Sequence, residues 1–177
     1  TPRVCEEVFR LFPYGHSAEA FKLMWETGIL GDLLPELSAY INKNGGAKAM
    51  TFKHLKVLDK YERMMSEKGF EVSNALRAAV LMTGVFRAET KDGAGRKVMQ
   101  FMMHSLKIPK ATYFTAVLLL ESTKRFSVAP TKGKSRFIHN HDFLDALDYN
   151  RIIARAEKRS EKIIDKWADF YEEKGNK

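Results

Sequence analysis

Cysteine is almost missing from this chain of 177 residues, with Cys5 standing alone. One thiol cannot close an intrachain disulfide or build a cysteine-based zinc site, and a reducing, cytoplasmic setting is expected. Long apolar runs are missing as well. The longest, Ala78 to Met82 and Ala116 to Leu120, fall far short of the roughly 20 residues a membrane-spanning helix needs. No signal peptide is visible. Strand-like alternation, fixed-period repeats and low-complexity tracts are also lacking. The first residue is Thr1, not methionine, and the simplest expectation is a piece of a longer protein.

Acids are scarce where bases crowd. The net charge is +8, and the window from Arg96 to Arg136 holds nine basic residues against the single acid Glu121. That window therefore carries the whole excess, and the rest of the chain sums to zero. A focused positive field attracts a polyanion. Nucleic acid is the first partner this implies, and an anionic membrane surface the second.

Apolar spacing is helical almost throughout. Val4, Val8, Leu11 and Phe12 form a first stripe that Pro13 ends. Ser17 is expected to cap a second helix that closes at Gly28. Pro35 suits the first turn of another helix, and Asn44, Gly45 and Gly46 make a loop. Thr51 is expected to cap a helix with Leu55, Leu58, Tyr61, Met64 and Met65 on one face, ending at Gly69. A second long helix runs to about Ala88, and Lys91 to Gly95 reads as a loop. Pro109 opens a helix with Phe114, Val117 and Leu118 on its apolar face. One long final helix is expected to run from before Ile152 to Phe170, with Ile152, Ala156, Ile163, Trp167 and Phe170 as its stripe. The fold class is all-α, an irregular multi-helix bundle of seven to nine helices.

Catalytic motifs do not emerge. Lys132-Gly133-Lys134-Ser135 resembles the end of a phosphate-binding loop, but Val128 stands where the required glycine belongs and no strand precedes it. Asp92 to Lys97 reads as a turn before a helix. His139 and His141 are two residues apart and diverge on a helix, without the third and fourth ligands a metal needs. Asn140 or Asp142 fits a helix cap there. The adjacent acids Glu6-Glu7 and Glu172-Glu173 do not form an acid/base dyad. The residues alone support a binding domain more than an enzyme.

Several segments in order resemble one family. Arg3-Val4-x-Glu6-Glu7-x-x-Arg10-Leu11 is similar to the helix following the catalytic head of bacterial poly(A) polymerases and tRNA CCA-adding enzymes. Ala18 through Leu37, with Gly28-Ile29-Leu30 and Leu33-Leu34-Pro35-Glu36-Leu37, resembles their neck. Leu76 to Gly84 resembles the buried helix of their body. Leu106-Lys107-Ile108-Pro109-Lys110, then Arg125-Phe126, then His141 to Asp148 resemble the poly(A) polymerase branch, although His141 stands where that branch has proline. The resemblance implies neck-like helices over 1–43 and a helical body and tail with a basic RNA-binding face over 44–177. It also implies that the whole enzyme adds AMP from ATP to RNA 3′ ends with Mg²⁺. The family's Gly-Ser turn and Asp-x-Asp pair are absent from this sequence. No activity and no bound cofactor are therefore expected of this chain alone, with Mg²⁺ and ATP belonging to the full-length enzyme.

Under this resemblance Lys107, Lys110, Lys124, Arg125, Lys132, Lys134 and Arg136 are expected to neutralise RNA phosphates. Phe126 and Phe137 either stack on bases or pack into the bundle. Arg151 and Arg155, four apart on the last helix, either extend the groove or pair with nearby acids. Arg3, Glu6, Glu7 and Arg10 are expected to face the catalytic head, a partner in its own right. The alternatives are a CCA-adding enzyme's C-terminal domain and a helical protein-interaction module with a basic patch. The interleaved charges of the final helix argue against a membrane anchor.

Overall fold

The computed structural model describes residues 2–90, 100, 106–131 and 135–174. Among them are ten α-helices, eight at least eight residues long, and no strand. The helices are α1 (Pro2–Phe9), α2 (Ser17–Glu26), α3 (Ile29–Leu33), α4 (Pro35–Lys43), α5 (Met50–Glu67), α6 (Asn74–Thr90), α7 (Lys110–Phe126), α8 (Ser135–Ile138), α9 (Phe143–Ala156) and α10 (Lys162–Lys174). The all-α bundle expected from periodicity is the architecture observed.

Helix α6 is the hub. Every residue from Ala78 to Phe86 is buried, so this stretch is apolar on all sides and needs neighbours on all sides. Helices α4, α5, α7 and α9 supply them. A single apolar core runs from Val8 and Phe12 near the N-terminus to Ile164 and Trp167 near the C-terminus. The loop at Asn44 that separates the two expected domains does not divide this core.

The turn before α2 is docked on α5, and this corrects the expected cap. Ser17 does not cap α2. Its backbone N–H and its hydroxyl both donate to Asp59 Oδ1, at 2.8 and 2.6 Å, and the Ala18 N–H donates to Asp59 Oδ2 at 3.0 Å. A buried carboxylate of α5 thus supplies the acceptor that a helix N-terminus needs. One turn along α5, Arg63 donates to the carbonyl of Gly15 at 2.5 Å. Gly15 has φ +73°, and a Cβ there would stand 2.5 Å from the Asp59 carbonyl oxygen. Only glycine lets the turn lie this close. Thr51 is likewise not a cap: it lies inside the first turn of α5 and is buried.

The single long final helix expected from the stripe is two helices. Lys158 takes φ +55°. The Lys158 N–H donates to Arg155 O at 3.2 Å and the Arg159 N–H to Ala154 O at 2.8 Å, which is the Schellman pattern of a helix C-terminus. Beside this break Glu157 gathers three partners: buried His54 through Nε2 at 3.0 Å, Arg87, and Arg159 at 2.7 Å. Burial pushes the Glu157 carboxyl up. The His54 hydrogen bond, the Arg87 charge and the Arg159 and Arg87 hydrogen bonds outweigh it and hold the pKa at about 2.

Candidate nucleic-acid interface

Pro109 precedes α7 with φ −55° and ψ 138°, the extended geometry a helix cap requires. The helix it starts has an apolar side and a mixed one. Ala116, Leu119, Leu120 and Phe126 face the core. Lys110, Phe114, Leu118, Glu121 and Arg125 recur at three- and four-residue steps and share the other side. Phe114 is 66% exposed. The expectation that Phe114 faces inward with Val117 is therefore corrected: Val117 is buried and Phe114 is not.

Tyr113, Phe114, Leu118, Glu121, Arg125, Phe137 and Asn140, with Val117 and Ser122, line a groove of about 440 Å³ on this side. The Arg125 guanidinium lies over the Phe137 ring, 4.6 Å from its centroid, a cation–π contact that fixes its position. It also ties the end of α7 to α8, where Arg136 is exposed. Lys124 is exposed near it, and Lys110 stands about 21 Å away along the helix axis at 1.5 Å per residue. Lys107 is exposed just upstream, with φ +57°. No described carboxylate forms an ion pair with Lys107, Lys110, Lys124, Arg125 or Arg136. Lys124 and Arg125 also sit in the last turn of α7, where cations complement the helix dipole. Lys132 and Lys134 lie outside the described residues, as do Arg96 and Lys97.

Arg151 and Arg155 belong to another surface. They line a groove between α5 and α9 with Lys60, Tyr61, Met64 and Asp148. Both are paired with acids: Arg151 with Asp165 at 3.2 Å, and Arg155 with both oxygens of Glu161 at 3.0 and 3.1 Å. Helix α9 separates the two grooves. Its Asp148 accepts from Tyr61 of α5 at 2.6 Å, and its Asn150 donates to Ser122 of α7 at 2.8 Å. Positions two apart point to opposite sides of a helix. The basic residues therefore do not form one continuous channel. Burial, then the hydrogen bond to Asp148, raises the Tyr61 phenol above its ordinary range, and burial raises the Asp148 carboxyl despite that bond.

Phe126 and Phe137 are 4% and 9% exposed. They pack with Phe143 and Trp167, with ring centroids 5.3 to 6.3 Å apart. Packing is their role, and base stacking by either ring is excluded by burial. Phe114 is the outward aromatic of this surface instead. The one available signal was its four-residue offset from Lys110.

Arg3, Glu6 and Glu7 of α1 and Arg10 just after it are exposed along one ridge, and Arg10 pairs with Glu7 at 2.9 Å. Grooves flank the ridge. Arg3 and Glu7 border a mostly apolar one with Val4, Val8, Leu11, Met24, Ile29 and Leu33, and Glu6 and Arg10 border the other with Cys5, Phe9, Arg77 and Pro109. Residues 1–41 hold three basic residues and six acids, so the net charge of this stretch does not itself attract phosphate.

His141 is fully exposed beside Asp142, and Asn140 Oδ1 accepts the Asp142 N–H at 3.1 Å. Among the described residues no cluster of three or more His, Cys, Asp or Glu could hold a metal ion. The described residues thus offer no ligand set for the metal chemistry implied by the resemblance. No described helix is long and apolar enough to cross a membrane.

Residues 1–41 match a family described as "Probable RNA and SrmB- binding site of polymerase A". No curated protein matches the chain. The matched stretch covers α1 to α3 and most of α4, so the N-terminal quarter of the chain is similar to the RNA-binding region of poly(A) polymerase.

Proposed function

We propose that this chain is the RNA-gripping part of a template-independent nucleotidyltransferase that adds AMP from ATP to RNA 3′ ends. The observation that carries this reading is the match of residues 1–41 to the RNA-binding region of poly(A) polymerase. The unpaired cations of α7 and α8 support it. Among the described residues Lys107, just before α7, and Lys110, Lys124, Arg125 and Arg136 have no ion pair with a carboxylate and are available to backbone phosphates, and Lys132 and Lys134 stand between Arg125 and Arg136 in the sequence. Contacts of that kind give affinity and register with little sequence preference. A polymerase extending a uniform tail needs such a grip. Mg²⁺ and ATP are handled by a catalytic head whose motifs this sequence lacks. The apolar groove beside the α1 ridge, with Arg3 and Glu7 at its rim, is the surface on which that head docks, and Glu6 and Arg10 face it from the other flank. The setting is the cytoplasm.

Binding of labelled oligoadenylate across a salt series tests the reading. Affinity is expected to fall steeply with salt, with a log–log slope of about −0.7 for each phosphate contact. The double substitution Lys124→Glu with Arg136→Glu should weaken binding of oligoadenylate and oligouridylate by the same factor and flatten the slope. Absence of binding at low salt, or binding indifferent to salt, would overturn the reading.

A further inference from the structure

We propose that Phe114 is a nucleobase-stacking platform, and that the groove beside it holds one unpaired base of single-stranded RNA. The inference rests on the RNA-binding reading above and goes beyond it by naming the site.

Phe114 is a large aromatic left 66% exposed on a helix whose opposite side already fills the core. Exposing a ring of that size forgoes stabilisation that burial would give, so its place needs a reason. Its surroundings supply one. The Tyr113 ring meets Phe114 edge-on, with centroids 5.2 Å apart and planes at 66°. An edge contact of this kind steadies the Phe114 ring and leaves a face for a third ring. The groove of about 440 Å³ has room for a base. Arg125, which lines it, is held over Phe137 without a carboxylate partner, and Lys110 stands one turn before Phe114 on the same side of α7.

Charge selects the occupant. Arg125 lines the groove together with one acid, Glu121, and Lys110, Lys124 and Arg136 are exposed at the two ends of α7 and on α8. An aromatic flanked along one helix face by cations is the arrangement that single-strand binders use: cations track the backbone and the ring accepts the base. A neutral or basic peptide would gain nothing from those charges, and an acidic peptide, though drawn by them, brings no planar base for the ring to stack on. Lining the groove, Asn140 has its Oδ1 engaged by the Asp142 N–H, so the side-chain donors of its amide are what it can offer to a base edge.

The test compares the full 177-residue chain with Phe114→Ala and Phe114→Trp. Fluorescence anisotropy is measured with two labelled probes: an oligoadenylate, and an abasic oligomer carrying the same phosphates. The expected result is a loss of about tenfold or more for oligoadenylate with Phe114→Ala, near-native binding with Phe114→Trp, and no change for the abasic probe. The salt slope should be untouched, because no phosphate contact is removed. Phe114 is exposed, and a thermal melt of each variant confirms that folding is retained. If the wild-type chain binds oligoadenylate and Phe114→Ala binds it equally well, the stacking site is overturned while the RNA-binding reading stands. If the wild-type chain binds neither probe at low salt, the RNA-binding reading itself falls. Equal weakening of both probes by Phe114→Ala would also overturn the stacking site.

Discussion

Gly84 of α6 leaves the space that the Tyr40 ring of α4 fills. A Cβ at Gly84 would stand 2.5 Å from Tyr40 Cε1 and Cζ and 2.6 Å from its hydroxyl oxygen. The glycine is not there for backbone freedom, since it sits inside a regular helix. It permits the close approach of α4 to the hub. Gly84→Ala is expected to destabilise the protein by about 1–3 kcal/mol, the usual cost of overpacking. Combining it with Tyr40→Ala should cost less than the sum of the two single changes, because the clash is shared. Urea unfolding of the three variants measures this.

Lys158 is a lysine in a position that favours glycine. Its φ of +55° costs an L-residue about 1–2 kcal/mol. Lys158→Gly should therefore raise stability by up to about 1 kcal/mol, part of the gain being offset by the freer unfolded chain. Lys158→Val should lower it. Thermal melting of both variants checks the pair, and a stabilised valine variant would contradict the assigned turn.

Glu157 sets an acid limit. Its folded pKa of about 2 lies below the ordinary value of 4.5. A carboxylate depressed in this way contributes stability that is fully present above the unfolded pKa and is lost as pH falls toward the folded one. The wild-type chain should therefore exceed Glu157→Gln in stability by a constant margin above about pH 5, and the margin should close toward about pH 2. Urea midpoints of both proteins from neutral pH downward give the result.

Asp59 should be among the most sensitive polar positions. Asp59→Ala removes three hydrogen bonds and leaves buried donors at Ser17 and Ala18 unpaired. A loss of about 2–4 kcal/mol is expected. Asp59→Asn keeps one acceptor oxygen and should lose less. Chemical denaturation followed by far-UV circular dichroism measures both.

Local chemistry explains which features were readable before the fold was known. Gly69 and Lys158 close helices in the same way. At α5 the Gly69 N–H donates to Ser66 O and the Phe70 N–H to Met65 O, the same pattern seen at Lys158. Glycine announces its turn in the sequence, whereas lysine does not, so the first break was legible and the second was hidden behind a continuous apolar stripe. Ser17 has the side chain of a cap, but the acceptor that serves this helix start stands 42 residues away, beyond the reach of any local pattern. The charge of the Arg96–Arg136 window was legible as composition. Its separation from Arg151 and Arg155 was not, because only the packing of α9 between α5 and α7 decides which side each residue faces. The outward position of Phe114 is hidden for a related reason: Leu118 follows it on the same side of α7, and periodicity alone does not say which apolar residues meet the hub.

The carboxylate of Asp59 has a consequence for how the N-terminal stretch can be handled. A peptide ending at residue 41 would take α2 away from the group that anchors its opening turn and expose Phe21 and Leu37, which are buried in the intact chain. Such a peptide should not hold its shape in isolation. The stretch that carries the family signature thus borrows its order from the remainder of the molecule, and a reagent made from it alone would be a poor surrogate for the whole.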